Sequence, residues 1–91
     1  MEFEWDAAKS AANLANRGFG FDFAALIFDG PTLEALDSRA DYGERRIRTI
    51  GQVEEFILLV VYTDRNERRR IISARLANRK EHAKWHEFAR A

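Results

Sequence analysis

Arg68, Arg69, Arg70, Arg75, Arg79 and Lys80 crowd a short stretch near the end of the sequence, and Glu81 follows them at once. Arginine presents a planar fork of donors that matches a phosphate bidentately, and it stays protonated at any ordinary pH. These cations can stabilise developing negative charge but take up no proton, so acid–base work needs another group. Glu81 is the nearest candidate and His82 a weaker one. Glu81 also fits a capping box with Asn78, three residues earlier, in which its carboxylate serves only the backbone. The sequence leaves both roles open.

Strict alternation through RRRIISAR places Arg69, Ile71, Ser73 and Arg75 on one face of a strand and Arg68, Arg70, Ile72 and Ala74 on the other. Each face then mixes arginine with isoleucine, so Arg70 and Arg75 need either an acidic partner or an anionic ligand. Arg75, Arg79 and Lys80 gather where free backbone N–H groups at the start of a final helix already favour an anion. A phosphate suits that corner. His82 and His86, spaced i, i+4, lack an HExxH pattern and a third ligand, so neither a metal nor any other cofactor is expected. Trp5, Trp85, Tyr42 and Tyr62 either stack on unpaired bases or fill the core. No Gly-rich phosphate loop, GxSxG elbow or Ser-His-Asp arrangement is present.

The elements that must position these groups follow from periodicity. Phe3 and Trp5 alternate with acids as a short opening strand. Asp6 caps a helix from Ala7 to Arg17 that stops at Gly18. Asp22 suggests a second N-cap, with Phe21 and Leu26 as a hydrophobic staple, for a short helix from Phe23 to Asp29 ended by Gly30-Pro31. Leu33 and Leu36 mark a brief strand, and DSRADYGE reads as a mobile loop. Strands then cover Arg46–Ile50, Phe56–Thr63 and Arg69–Ala74, with Gly51-Gln52 and Asp64-Arg65-Asn66 as the turns between them. The apolar middle strand should be central in an antiparallel meander. Asn78 opens a last helix in which Trp85, Phe88 and Ala89 share a face. The order β-α-α-β-β-β-β-α predicts an α+β domain with a mainly antiparallel sheet, two N-terminal helices and one C-terminal helix.

The chain has 91 residues, which fit one small domain over 1–91. The absence of cysteine removes disulfides, thiolate metal sites and a cysteine nucleophile. The acidic opening MEFEWD and an apolar run no longer than Phe56–Tyr62 suggest neither secretion nor membrane insertion, so a cytoplasmic protein without membrane contact is expected. Formal charge is zero, yet residues 1–44 hold three basic residues against nine acidic, and residues 45–91 hold twelve against six. That split either holds a polyanion on one side and a basic partner on the other, or makes two solvated faces.

Five segments in order, FEWDAAKSAANLANRGFGF, AALIFDGP, GERRIRTIG, LLVVYT and RIISARLANRKE, resemble the BrnT family of toxins from bacterial toxin–antitoxin modules. The resemblance implies a RelE-like fold and a metal-independent endoribonuclease that inhibits translation and growth. It also implies a cognate BrnA-like antitoxin that binds both the toxin and operator DNA, so DNA would be met only through that partner. Arg70, Ser73, Arg75 and Glu81 match the family's pattern, as does Arg45 or Arg46. The implied catalytic set is Arg70, Arg75 and Glu81, with Arg45, Arg46, Arg69, Arg79, Lys80 and Trp85 on the RNA. Asn16-Arg17-Gly18 stands where the family commonly has Lys-His-Gly, Trp85 where it has a tyrosine, and Asn78 where threonine is frequent. A catalytically weak RNA- or antitoxin-binding module of the same fold is the alternative.

Overall fold

A computed structural model describes residues 1–90. In chain order the elements are β1 (Glu2–Trp5), α1 (Ala7–Arg17), α2 (Phe21–Ala24), a 3₁₀ turn (Ala25–Asp29), β2 (Leu33–Leu36), β3 (Ile47–Val53), β4 (Phe56–Arg65), β5 (Arg68–Leu76) and α3 (Arg79–Arg90). The five strands form one sheet in the order β1-β5-β4-β3-β2. All pairs are antiparallel except β1 with β5, so the fold is α+β with a mostly antiparallel sheet.

The continuous apolar run of β4 puts it in the middle, because only a strand covered on both faces can bury every residue from Ile57 to Thr63. Leu58 and Val60 point to a first face, where they pack with Phe21, Ala24, Ala25, Ile27, Ile71 and Ala74. Ile57 and Leu59 point to the second face, where Trp85 of α3 packs on them and on Ile50.

Three local features depart from the pattern read along the sequence. The second helix begins at Phe21 rather than Phe23, and becomes a 3₁₀ turn after Ala24. Asp22 is not its cap: the Phe21 N–H donates instead to Ser10 Oγ on α1 at 2.9 Å, so the cap is tertiary. Leu26, the expected staple partner, is exposed.

Gly51 is no turn residue but lies inside β3, opposite Leu58. A Cβ there would meet Ile27 Cβ at 2.7 Å, so the glycine admits the buried isoleucine against the strand. The β3–β4 turn falls at Glu54, with φ 54°, and the β4–β5 turn at Asn66 and Glu67, with φ 53° and 62°. Two successive positive φ values match the type I′ geometry that suits the twist of a hairpin.

In the third departure, Val61 stands opposite Ser73 and Tyr62 opposite Ile71, leaving Ile72 unpaired in a β-bulge. The extra residue resets alternation along β5, so strict alternation fails exactly once. Ile71 and Ala74 enter the first-face core, while Ile72 is half-buried.

Candidate nucleic-acid interface

The bulge decides which arginines meet. Arg70 lies opposite Thr63, Arg75 opposite Leu59 and Arg48 opposite Val61, and paired residues share a face. All three therefore stand on the second face, which also carries α3. Arg69 lies opposite Asp64 on the first face, where Asp64 holds it at 2.9 and 3.0 Å and it lies over the Tyr62 ring. Without the bulge, Arg75 would have followed Arg69.

The wall of the site is α1, because β1 pairs only with Arg68–Ile71 and leaves the rest of the β5 edge for that helix to flank. Asp6 starts it, accepting from the N–H groups of Ala8 and Lys9 at 2.9 and 3.1 Å. Gly18, at φ 89°, ends it and donates to the Leu14 carbonyl. The helix is fastened by polar groups, since Asn13 Nδ2 donates to the Phe19 carbonyl and Ser10 Oγ accepts from Phe21.

Between α1 and β5 runs an open groove of about 670 Å³, lined by cations from three elements: Lys9 and Arg17 of α1, Arg75 of β5, and Arg39 of the β2–β3 loop. Asn13, Asn16 and Ser73 add neutral polar groups, and Leu59 and Val61 form the floor. Arg39 is held by Asp37 through 2.8 Å bonds from Nε and Nη2. Those bonds, with the Arg39 charge, bring the buried Asp37 carboxyl down to about 2 although burial opposes the shift. The loop read as mobile is thus tied at its base: Asp37 N–H donates to the Arg46 carbonyl, and Thr63 Oγ1 to the Arg45 carbonyl.

At the end of the groove nearest α3, Glu81 receives Arg75 bidentately, with Nη1 to Oε1 at 2.8 Å and Nη2 to Oε2 at 2.9 Å. Asn78 N–H donates to the same Oε1, and the Glu81 N–H donates to Asn78 Oδ1, closing the capping box. Arg48 Nη2 adds a long contact of 3.5 Å to Oε2, while its buried Nε has no hydrogen-bond partner among the described residues. Burial pushes the Glu81 carboxyl up, but the Arg75 hydrogen bonds, the Asn78 N–H and the charges of Arg75 and Arg48 outweigh it and hold the group below the usual carboxylate range. A carboxylate so well satisfied is a poor proton acceptor and a firm anchor for arginine.

The sequence pattern of the ribonuclease toxin BrnT of type II toxin–antitoxin systems matches residues 5–81, well over half of the chain. The chain belongs to the BrnT family. Among curated proteins none matches it. A type II toxin family implies an antitoxin partner and an RNA substrate, and the open groove is where this BrnT chain gathers cations from three elements.

The residues singled out along this BrnT sequence are only partly brought together. Arg75 lines the groove and Glu81 anchors it from the α3 side. Arg70 is held by Glu4 of β1 at 2.9 Å and lines a side recess of about 100 Å³ with Arg46 and Arg65; Lys9 belongs to both recess and groove. Arg46 pairs with Glu44 and lies over the Tyr42 ring, while Arg45 is exposed on the loop. Arg79 and Lys80 are exposed at the start of α3 and line neither groove nor recess.

Trp85 corrects an expectation: it is 4% exposed and its Nε1 donates to Gln52, so it offers no ring face to a base. Arg69 likewise lies on the far side of the sheet from Arg75. Sequence reasoning missed Lys9, Asn13, Arg39 and Arg48 as neighbours of the site. Only Asn16 and Arg17 carried a signal, as departures in a family motif. His82 and His86 sit exposed on α3 with ring centres 6.0 Å apart, and no cluster of three or more metal-ligating side chains occurs among the described residues. No described helix is long and apolar enough to cross a membrane.

Proposed function

We propose that the groove between α1 and β5 binds the backbone of single-stranded RNA and cleaves it without a metal ion, in a RelE-like fold. The observation that carries this reading is the convergence of Lys9, Arg17, Arg39 and Arg75 on one open groove in a chain of the BrnT ribonuclease toxin family. In the reaction, the 2′-oxygen attacks the adjacent phosphorus, the bond to the 5′-oxygen breaks, and the products are a 2′,3′-cyclic phosphate and a 5′-hydroxyl. The proton lost from the 2′-hydroxyl and the one gained by the leaving oxygen are exchanged with water through the open side of the groove. Arg75 stabilises the charge on the phosphoryl oxygens, Glu81 fixes the guanidinium in place, and Arg70 continues the cationic track past Lys9. Cleavage of messenger RNA inhibits translation until a cognate antitoxin covers the groove.

A binding module with weak cleavage is the second reading, favoured by the state of Glu81: both of its oxygens are engaged, and neither histidine lines the groove. The experiment separating the two is incubation of purified protein with RNA in EDTA. Cleavage with cyclic-phosphate ends, slowed about 100-fold or more in Arg75→Ala, is the expected result. RNA binding without cleavage selects the second reading, and an unchanged rate in Arg75→Ala removes that arginine from the mechanism.

A further inference from the structure

The outward side of α1 is apolar, and none of the described residues covers it. Its inward side is held by Ser10 and Asn13, so Ala7, Ala8, Ala11 and Ala15 are exposed and Leu14 is 57% exposed. Beside Leu14, a second groove of about 440 Å³ runs across Phe19, Phe23, Phe56 and Leu76. Phe56 and Leu76 are 41% and 52% exposed, so large apolar side chains from three elements face water together. A contiguous apolar patch of this kind marks an interaction surface. Phosphodiester RNA does not suit it. The one cation in its lining, Arg17, also lines the basic groove.

We infer that this apolar groove is the docking site of the module's antitoxin, which lays an amphipathic helix across Leu14, Phe23, Phe56 and Leu76 and directs acidic side chains past Arg17 into the RNA groove. The inference rests on the reading of the basic groove as the RNA site. The occupant is set by two chemistries meeting at Arg17: apolar knobs for the groove and carboxylates for Lys9, Arg17, Arg39 and Arg75 beyond it. Apolar burial supplies the affinity, and the carboxylates occupy the positions of RNA phosphates. A single segment therefore both binds and inhibits.

The test is the affinity of the antitoxin for Leu14→Glu and for Leu14→Glu/Leu76→Glu, measured by calorimetry, with circular dichroism and RNA cleavage by the isolated variants as controls. Neither residue lines the RNA groove, so cleavage is unchanged. Antitoxin affinity is expected to fall about 10-fold in the single variant and about 100-fold or more in the double one. Hydrogen exchange on wild-type protein, which needs no variant to fold, should show α1 and residues 18–23 protected by the antitoxin. Unchanged affinity, absent protection, or a shift only in self-association on sedimentation overturns the inference, the last by making a second copy of the chain the occupant. Failure of wild-type protein to bind RNA would instead count against the RNA reading, and leaves the antitoxin measurement interpretable.

Discussion

At the scale of single residues, Glu81 makes the site intelligible. Its position suggests a base, but its bonds assign it to geometry: the capping box holds the carboxylate, and the carboxylate holds Arg75 by both arms of the fork. Glu81→Gln keeps an acceptor for the Asn78 N–H and removes the charge. It should destabilise the protein by about 1.5–3 kcal/mol at neutral pH, the range for hydrogen bonds to charged groups. The Glu81 carboxyl titrates lower in the folded chain than in the unfolded one, so its contribution is present above the unfolded value and lost as pH falls through the folded value. Denaturant titrations of wild type and variant should therefore begin to converge below about pH 4.3, the ordinary glutamate value, and meet only once pH has fallen below the folded value. A gap that persists in strong acid would show that the carboxylate charge is not what stabilises the cap.

Among the elements, β5 and β3 each carry one irregularity with a large effect. The bulge at Ile72 rotates the end of β5 so that Arg75 joins Arg48 and Arg70 instead of Arg69. In β3, Gly51 has Ile27 where a side chain would begin. Ile27 is branched and fully buried in the first-face core, so it cannot swing aside. Gly51→Ala should cost about 1–3 kcal/mol as an overpacked core substitution, read as a lower midpoint in urea with the slope unchanged. Alanine at a strand position ordinarily costs nothing relative to glycine, so a neutral result would mean that the 3₁₀ turn moves freely over β3.

At the scale of the whole molecule, the formal charge of zero hides an uneven split along the sequence. Lys9 and Arg17 come from the acidic half of the sequence, yet the fold carries them to the groove of Arg75. Neither is in an ion pair among the described residues, while Arg39 and Arg75 are held by acids. If all four meet phosphate, the logarithm of RNA affinity should fall with the logarithm of salt concentration at a slope of roughly −3, at about −0.7 for each contact on a single strand. With Lys9 and Arg17 alone the slope would be roughly −1.5. Fluorescence anisotropy across a salt series reads the difference, and the steeper slope requires Arg75 and Arg39 to exchange carboxylate for phosphate.

The sequence by itself determined what local chemistry controls. The Asp6 cap and Gly18 stop of α1, the central place of β4 and the Asn78–Glu81 box all follow from residue type and spacing over a few positions. Arg75 beside the start of α3 was legible for the same reason. Tertiary structure decided what depends on partners distant in the chain: Ser10 capping α2, Ile27 claiming the space at Gly51, and the unpaired Ile72. It also buried Trp85 and brought Lys9, Arg17 and Arg39 to the site. Alternation gives the side of a strand only while every residue is paired, and one unpaired residue reverses all that follow. That is why the kinds of residue in the groove could be read along the chain, while their assembly required the fold.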